Sequence, residues 1–506
     1  MKELKIRRII HVVMCLQISI AFNVSGQGAV PKKNWQNLDL ERDSVFGISM
    51  ERVYTELLTD KVAKPVIVAV IDGGIEIDHD DLKSVIYKNS AEIPANHNDD
   101  DGNGYIDDLN GWNFLGSSKG SFYYDNVDLT RELRYEQKNN RKSAKSIELQ
   151  DLVEQKLVAL TVGLKQLEIE KTALQHILQR IGKSNPSEED FRSFRYRTYD
   201  EADMLVKIVN SLKMTKDFKI YQESFDDKYK QYKTNIEFLL NVNYDPRKDN
   251  KEFNSRYYGN ADVKFINPFH GTHVSGIIAG DRHNNLGING VADKVLLLPV
   301  RAIPDGDFRE LDVANAIYYA VKMKAKVINM SFIKLSNVNT SVLDSAIKYA
   351  MANDVLIVHG AGNEGLEQKP TSSPNKRYAH GGEAAAWIEV GASSWKNDKT
   401  LLPWFSNYGS ATVDVFAPGV QINSTWVGNT YRSENGTSMA APVVSGVAAM
   451  LRAYYPKLSA LQVKNIIMMT VVKSGVLKDK CLSGGVVNAY KAFKLAEKEG
   501  VLSGLR

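Results

Sequence analysis

Cysteine is nearly absent: the 506 residues contain two, Cys15 and Cys481. That excludes a disulfide framework and a cysteine-based metal site. Cys481 has no histidine near it in sequence and reads as a small packed residue. An excess of one charge is missing too. The formal net charge is +4, and residues 1–26 hold Lys2, Lys5, Arg7 and Arg8 against Glu3, so the remainder is close to neutral. No basic field is left to attract nucleic acid or anionic lipid. Beyond residue 26 no stretch approaches the roughly 20 apolar residues of a membrane span, and no repeat or low-complexity tract occurs.

What is present begins with a leader. Lys2 to Arg8 precede an apolar run from Ile9 to about Val24, and the small residues Ser25 and Gly26 follow. This is the pattern of a signal peptide over residues 1–26, implying export to a periplasmic or extracellular destination. The competing reading is a retained anchor, against which stand the shortness of the run and its interruption by His11, Gln17 and Ser19. The Val-Val-Met before Cys15 is a poor context for lipid attachment.

Residues 27–64 form an extension in which Trp35 and Leu38 are expected to pack onto the body. Residues 65–118 open with Pro65-Val-Ile-Val-Ala-Val-Ile71, a short β-branched run ending in Asp72-Gly-Gly74. Such a run reads as a parallel strand buried on both faces. Residues 119–261 change texture, with abundant Lys, Glu, Gln and Leu and little Gly or Pro. There Val153, Leu157, Leu160, Leu164, Leu167, Lys171, Leu174, Leu178 and Ile181 alternate spacings of four and three. That is a heptad seam with one polar break, closed by Gly182 and Pro186. Further helices are predicted near 200–214 and 217–241, giving a helical hairpin or small bundle. Residues 262–506 return to apolar runs alternating with helical patterns, which implies an α/β fold with a mostly parallel, doubly covered sheet.

Three segments carry chemistry. Asp72 ends the first buried run, where α/β folds place their sites, although an aspartate there is often only a turn former. Asn267-Pro-Phe-His270-Gly-Thr-His273 opens a stretch rich in small residues. Its histidines are either metal ligands or one general base and one packed ring, with His270, at the exposed start, the better base. Ser438, in Asn435-Gly-Thr-Ser438-Met-Ala-Ala-Pro442, lies at the opening of a helix. A serine there is either a cap or a nucleophile whose oxyanion the helix start can hold.

Taken together, these segments resemble the three signature motifs of the subtilisin-like serine proteases (subtilases, peptidase S8), in that family's order Asp, His, Ser. The resemblance implies a subtilisin-like three-layer fold over 65–118 and 262–506, with 119–261 as an insert. It implies a serine endopeptidase acting on protein or peptide substrates, with Ser438 as nucleophile, His270 as general base and acid, and Asp72 orienting it. His273 is then structural. Val358-His-Gly-Ala-Gly362-Asn363 resembles the oxyanion segment, with Asn363 as the amide donor, and Ser331, Phe332 and Gly362 match substrate-binding positions. Ile333 departs from the family, which has glycine there. The alternative is a catalytically silent subtilase fold that binds through the insert; the full set Asp72, His270, Asn363 and Ser438 argues against it. The insert itself reads as a lid, a specificity arm, a self-association element, or a hairpin buried against itself.

One further segment has the oxygen rhythm of an EF-hand loop. Asp99, Asp101 and Asn103 fit positions 1, 3 and 5, Tyr105 offers a carbonyl at 7, and Asp107 fits position 9. Position 12 is Asn110, without the bidentate glutamate. Structural calcium is the expectation, an acidic solvated turn the alternative, and no organic cofactor is expected. Asp81 weakly matches a family calcium ligand.

Overall fold

A computed structural model describes residues 31–504 except 60, 335–340 and 369–371. The leader expected over 1–26, including Cys15, lies outside the described residues. The chain divides into two compact units among these residues, Asn126–Asp245 and Pro31–Asp125 with 246–504.

The larger unit is built on one sheet. Among the described residues it has nine strands: β1 (Val66–Asp72), β2 (Trp112–Asn113), β5 (Val295–Arg301), β6 (Val327–Met330), β7 (Leu356–Gly360), β8 (Trp387–Ser393), β9 (Val415–Pro418), β12 (Val472–Lys473) and β13 (Gly485–Val486). Two short hairpins complete the strands, β3 (Gly116–Ser117) with β4 (Gly120–Ser121), and β10 (Ile422–Trp426) with β11 (Thr430–Glu434). The sheet order is β12-β13-β9-β8-β7-β6-β1-β5-β2, parallel except for β12 against β13. The alternating residues of β1 show why the run is apolar throughout. Val68 and Val70 pack with Val274, Ile277, Val443 and Val444 of the helices Phe269–Ala279 and Thr437–Tyr454. Ala69 and Ile71 pack with Val313, Ile317 and Ile347 of the helices Glu310–Lys322 and Ser341–Ala352. Both faces are covered, which makes three layers.

β1 pairs with β5 on one side and β6 on the other, so the chain reverses its direction of travel across the sheet at β1. Such a switch point opens a crevice beyond the strand C-termini. The extension packs on this body: Trp35 is buried and its indole N–H donates to the Val420 carbonyl at 3.2 Å.

The smaller unit is helical. Its longest helix, Ala144–Ile181, is capped by Ser143 and ends at Gly182, whose φ of 71° is the left-handed geometry that favours glycine. All nine heptad positions fall in this helix. Leu167 and Leu174 are buried with Met204, Ile208, Leu212, Phe218 and Phe225 from the helices Tyr199–Thr215 and Phe218–Thr234. Val153, further toward the N-terminus, joins a separate cluster with Leu133 and Leu149. Lys171, the polar break, lies with its ammonium 4.2 Å from the centre of the Tyr229 ring.

Candidate active site

Asp72 is the last residue of β1 and is buried. His270 is the second residue of the helix Phe269–Ala279. Its Nδ1 lies 2.9 Å from each oxygen of Asp72. A carboxylate only accepts, so Nδ1 carries hydrogen and, in the neutral ring, Nε2 is left as the acceptor. Gly271 lets the helix come this close, because a Cβ there would sit 2.2 Å from the Gly74 carbonyl oxygen. Burial favours the neutral ring of His270, but the Asp72 charge and hydrogen bond, with Glu434 adding, outweigh it and raise its pKa. His273, one turn deeper, is fully buried, and its Nε2 lies 3.0 Å from the Arg432 carbonyl. Burial pushes its pKa down to about 3. The two histidines thus face different partners and do not form a ligand pair.

Ser438 is the second residue of the helix Thr437–Tyr454, where backbone N–H groups lack intrahelical partners. Its Oγ donates to the Ser331 carbonyl at 2.9 Å, and the Ser331 hydroxyl donates back to the Ser438 carbonyl at 2.9 Å. Asn363 follows β7. Its Oδ1 accepts from the Thr437 N–H at 2.8 Å and from Thr437 Oγ1 at 3.1 Å. Only the oxygen can accept from that N–H, so the amide NH2 is the free end of the group, and no partner for it occurs among the described residues. Gly362 donates its N–H to Thr437 Oγ1 at 3.0 Å and has a φ of 102°.

The profile of the subtilase family (peptidase S8) matches residues 63–490. The chain belongs to the subtilase family. A thermophilic serine proteinase of Bacillus sp. (strain AK1) is 42% identical over 185 residues, covering 36% of this chain and 42% of that protein. Subtilisin BL of Lederbergia lenta is 35% identical over 226 residues, 44% of this chain and 77% of that protein. The M-protease of Shouchella clausii (strain KSM-K16) is 35% identical over 44% of this chain and 55% of its own length. The chain thus spans between about two fifths and three quarters of these relatives. Among solved structures, one of the proteases from Pseudoalteromonas arctica PAMC 21717 aligns at a TM-score of 0.38 and 28% identity, covering 45% of this chain and 70% of that one.

Around the subtilase site, Ser331 is buried while Phe332 and Ile333 are half-buried. Lys334 then pairs antiparallel with Ser373, each N–H bonding the other's carbonyl at 2.9 Å. Thr437, which ties Asn363 and Gly362 together, escapes sequence reasoning, although it stands directly before the serine. So do His359 and Glu389, polar residues inside apolar strand runs; that mismatch is the signal that marks them.

In the acidic loop, Asp99 and Asp101 of the expected set come together with Glu92. Ligand atoms of Glu92, Asp99 and Asp101 lie within 4.8 Å of one another. Glu92 is buried, its Oε1 accepts from the Asp100 and Asp101 N–H groups at 3.1 and 3.2 Å, and its Oε2 has no hydrogen-bond partner among the described residues. Asn103 turns its amide NH2 toward Asp101 and Asp108 at 3.0 and 3.1 Å. Tyr105 is buried, and Asp107 is occupied by the N–H groups of Asn96 and His97 at 3.2 and 3.0 Å. The side chain of Asn110 donates to the Tyr87 carbonyl at 2.8 Å. Asp81 is also engaged, accepting from Asn284 Nδ2 at 2.7 Å and the Ile288 N–H at 3.1 Å.

Proposed function

We propose that this subtilase is an exported serine endopeptidase that cuts protein or peptide chains through an acyl-enzyme on Ser438. The observation that carries the reading is the His270 ring held by both Asp72 oxygens at the end of β1; beside it in support, the Asn363 Oδ1 accepts from Thr437 at the start of the helix that carries Ser438. In this reading His270 Nε2 takes the proton of Ser438 Oγ, the oxygen attacks the scissile carbonyl, and the ring returns the proton to the leaving amine. Asp72 fixes the tautomer and stabilises the imidazolium. The Asn363 NH2 and the Ser438 N–H are the donors for the oxyanion. For Ser438 this requires a rotation that exchanges its bond to Ser331 for one to His270, and apo sites commonly tighten only with substrate. Hydrolysis of a casein-type substrate by the purified protein, with none by Ser438→Ala, is the expected result; equal hydrolysis by both overturns it.

Two finer readings accompany it. The Glu92, Asp99 and Asp101 carboxylates form an all-oxygen donor set, which suits calcium, and the unpartnered buried Oε2 of Glu92 supports a cation there. Bound calcium would neutralise the local negative charge and brace the loop. The helical unit is read as a self-association element. Val158, Val162 and Ile169 are exposed on the Ala144–Ile181 helix at spacings of four and seven, which put them on one face. Among the described residues no helix is long and apolar enough to cross a membrane; export itself rests on the leader pattern.

A further inference from the structure

We propose that the buried His359–Glu389 pair is a positioning device for substrate recognition: by holding the Phe332 carbonyl it turns the Ile333 N–H to the opposite side, as a donor to the backbone of an extended peptide. The proposal rests on the protease reading above.

His359 lies on β7, opposite Met330 of β6 and Glu389 of β8, and is fully buried. Its Nε2 is 2.7 Å from the Phe332 carbonyl oxygen, and its Nδ1 is 3.0 and 3.1 Å from the two oxygens of Glu389. A peptide carbonyl only accepts, so Nε2 carries hydrogen and donates to Phe332, while Nδ1 is hydrogen-bonded to the Glu389 carboxyl group. Glu389 is kept ionised: burial opposes this, but His359, Trp387 and Gln368 together lower its pKa. The Trp387 indole N–H reaches it at 2.8 Å and the Gln368 amide at 2.6 Å. The remaining charged neighbours on this side pair with each other. Asp414 accepts the Glu389 N–H at 2.7 Å and Lys376 at 3.0 Å. β6 presents no titratable side chain.

A buried His–Glu pair in a central parallel strand is an expensive way to fill positions that aliphatic residues fill elsewhere in this sheet. What aliphatic residues lack is a donor for the Phe332 oxygen, here a ring that Glu389 holds from its other nitrogen. That oxygen and the Ile333 N–H belong to one planar trans peptide, so they point in opposite directions. With the oxygen drawn down to His359, the N–H faces away from it, and no partner for it occurs among the described residues. Ser331, two residues back, bonds Ser438 through both its carbonyl and its hydroxyl. Two residues of extended chain cover about 7 Å. The Ile333 N–H is therefore placed for a substrate residue upstream of the bond cut at Ser438. Gln368 also donates to the Ala361 carbonyl at 3.3 Å, which ties the network to the Gly362–Asn363 segment. Recognition through backbone survives the exchange of glycine for Ile333, because the donor is the N–H and the side chain is not.

The test compares two substrates on the full chain, a tetrapeptide ester that reaches Ile333 and a single-residue ester that does not. In His359→Gln the ratio of their kcat/KM values is expected to fall about tenfold, carried by KM of the tetrapeptide, the size of one hydrogen bond. Glu389→Gln is expected to do the same. An unchanged ratio, including equal losses on both esters, overturns the proposal by showing support of the fold alone. If the variants do not fold, wild type labelled with 15N-histidine and 13C-carbonyl phenylalanine reads the same contact: a coupling across a hydrogen bond from a histidine Nε2–H to the Phe332 carbonyl supports it, and no such coupling overturns it. Failure of the protease reading is separate, since the wild type would then hydrolyse neither ester.

Discussion

At the scale of single residues the account makes two demands. The base must be neutral to accept the Ser438 proton, and Asp72 outweighs burial to hold the proton on His270 more tightly. The acid limb of kcat/KM is therefore expected above the value of about 6.5 for a free imidazole. Asp72→Asn removes the charge, so the limb should move to lower pH while kcat drops; a limb unmoved in Asp72→Asn contradicts His270 as the base. Asn363→Ala removes one oxyanion donor and is expected to lower kcat by about 10²–10³, a magnitude established on a subtilisin, with KM nearly constant. A KM effect without a kcat effect would place Asn363 in binding instead. Asp72, His270 and Ser438 are legible in the sequence because each stands in a contiguous motif that its own backbone needs: a strand end, a helix start after Gly271's close approach, a second helix start. Glu92 and His359 are not legible in this way. Glu92 meets Asp99 and Asp101 through a loop that doubles back, and His359 meets Glu389 through strand register, neither of which leaves a fixed spacing.

At the scale of elements, the heptad seam shows what periodicity carries and what it omits. Its spacing corresponds to one continuous helix, Ala144–Ile181. The seam does not meet a single partner helix, however: its two ends enter different clusters, one with Leu133 and one with Met204 and Phe225. Periodicity reports a buried face and is silent about which neighbour buries it. The exposed Val158, Val162 and Ile169 belong to another face of the same helix, and self-association through them predicts a mass in solution above that of the monomer. Val162→Asp is expected to return the protein to monomer mass in sedimentation with peptidase activity retained. A monomeric wild type contradicts this reading. The parallel strands, in contrast, follow directly from their composition, because burial on both faces of a sheet favours a nearly unbroken apolar run; His359 and Glu389 stand out against it for that reason.

At the scale of the molecule, calcium is expected to brace the loop that lies between β1 and β2. Chelation should lower Tm by on the order of 5 °C, the linkage expected for one site well above its dissociation constant. Glu92→Gln should abolish most of that calcium dependence; a Tm indifferent to both chelator and substitution contradicts the site. The proposed triad and oxyanion donor are drawn from four separate places in the chain, and Asp72 among them ends β1, the strand at the switch point between β5 and β6. The most direct test of the central claim is covalent labelling of the wild type with a serine-directed fluorophosphonate, followed by mass spectrometry of the digested protein. The account requires a single adduct on Ser438, formed more slowly as pH falls through the titration of His270 and lost in His270→Ala. No adduct, or one formed equally well in His270→Ala, contradicts it.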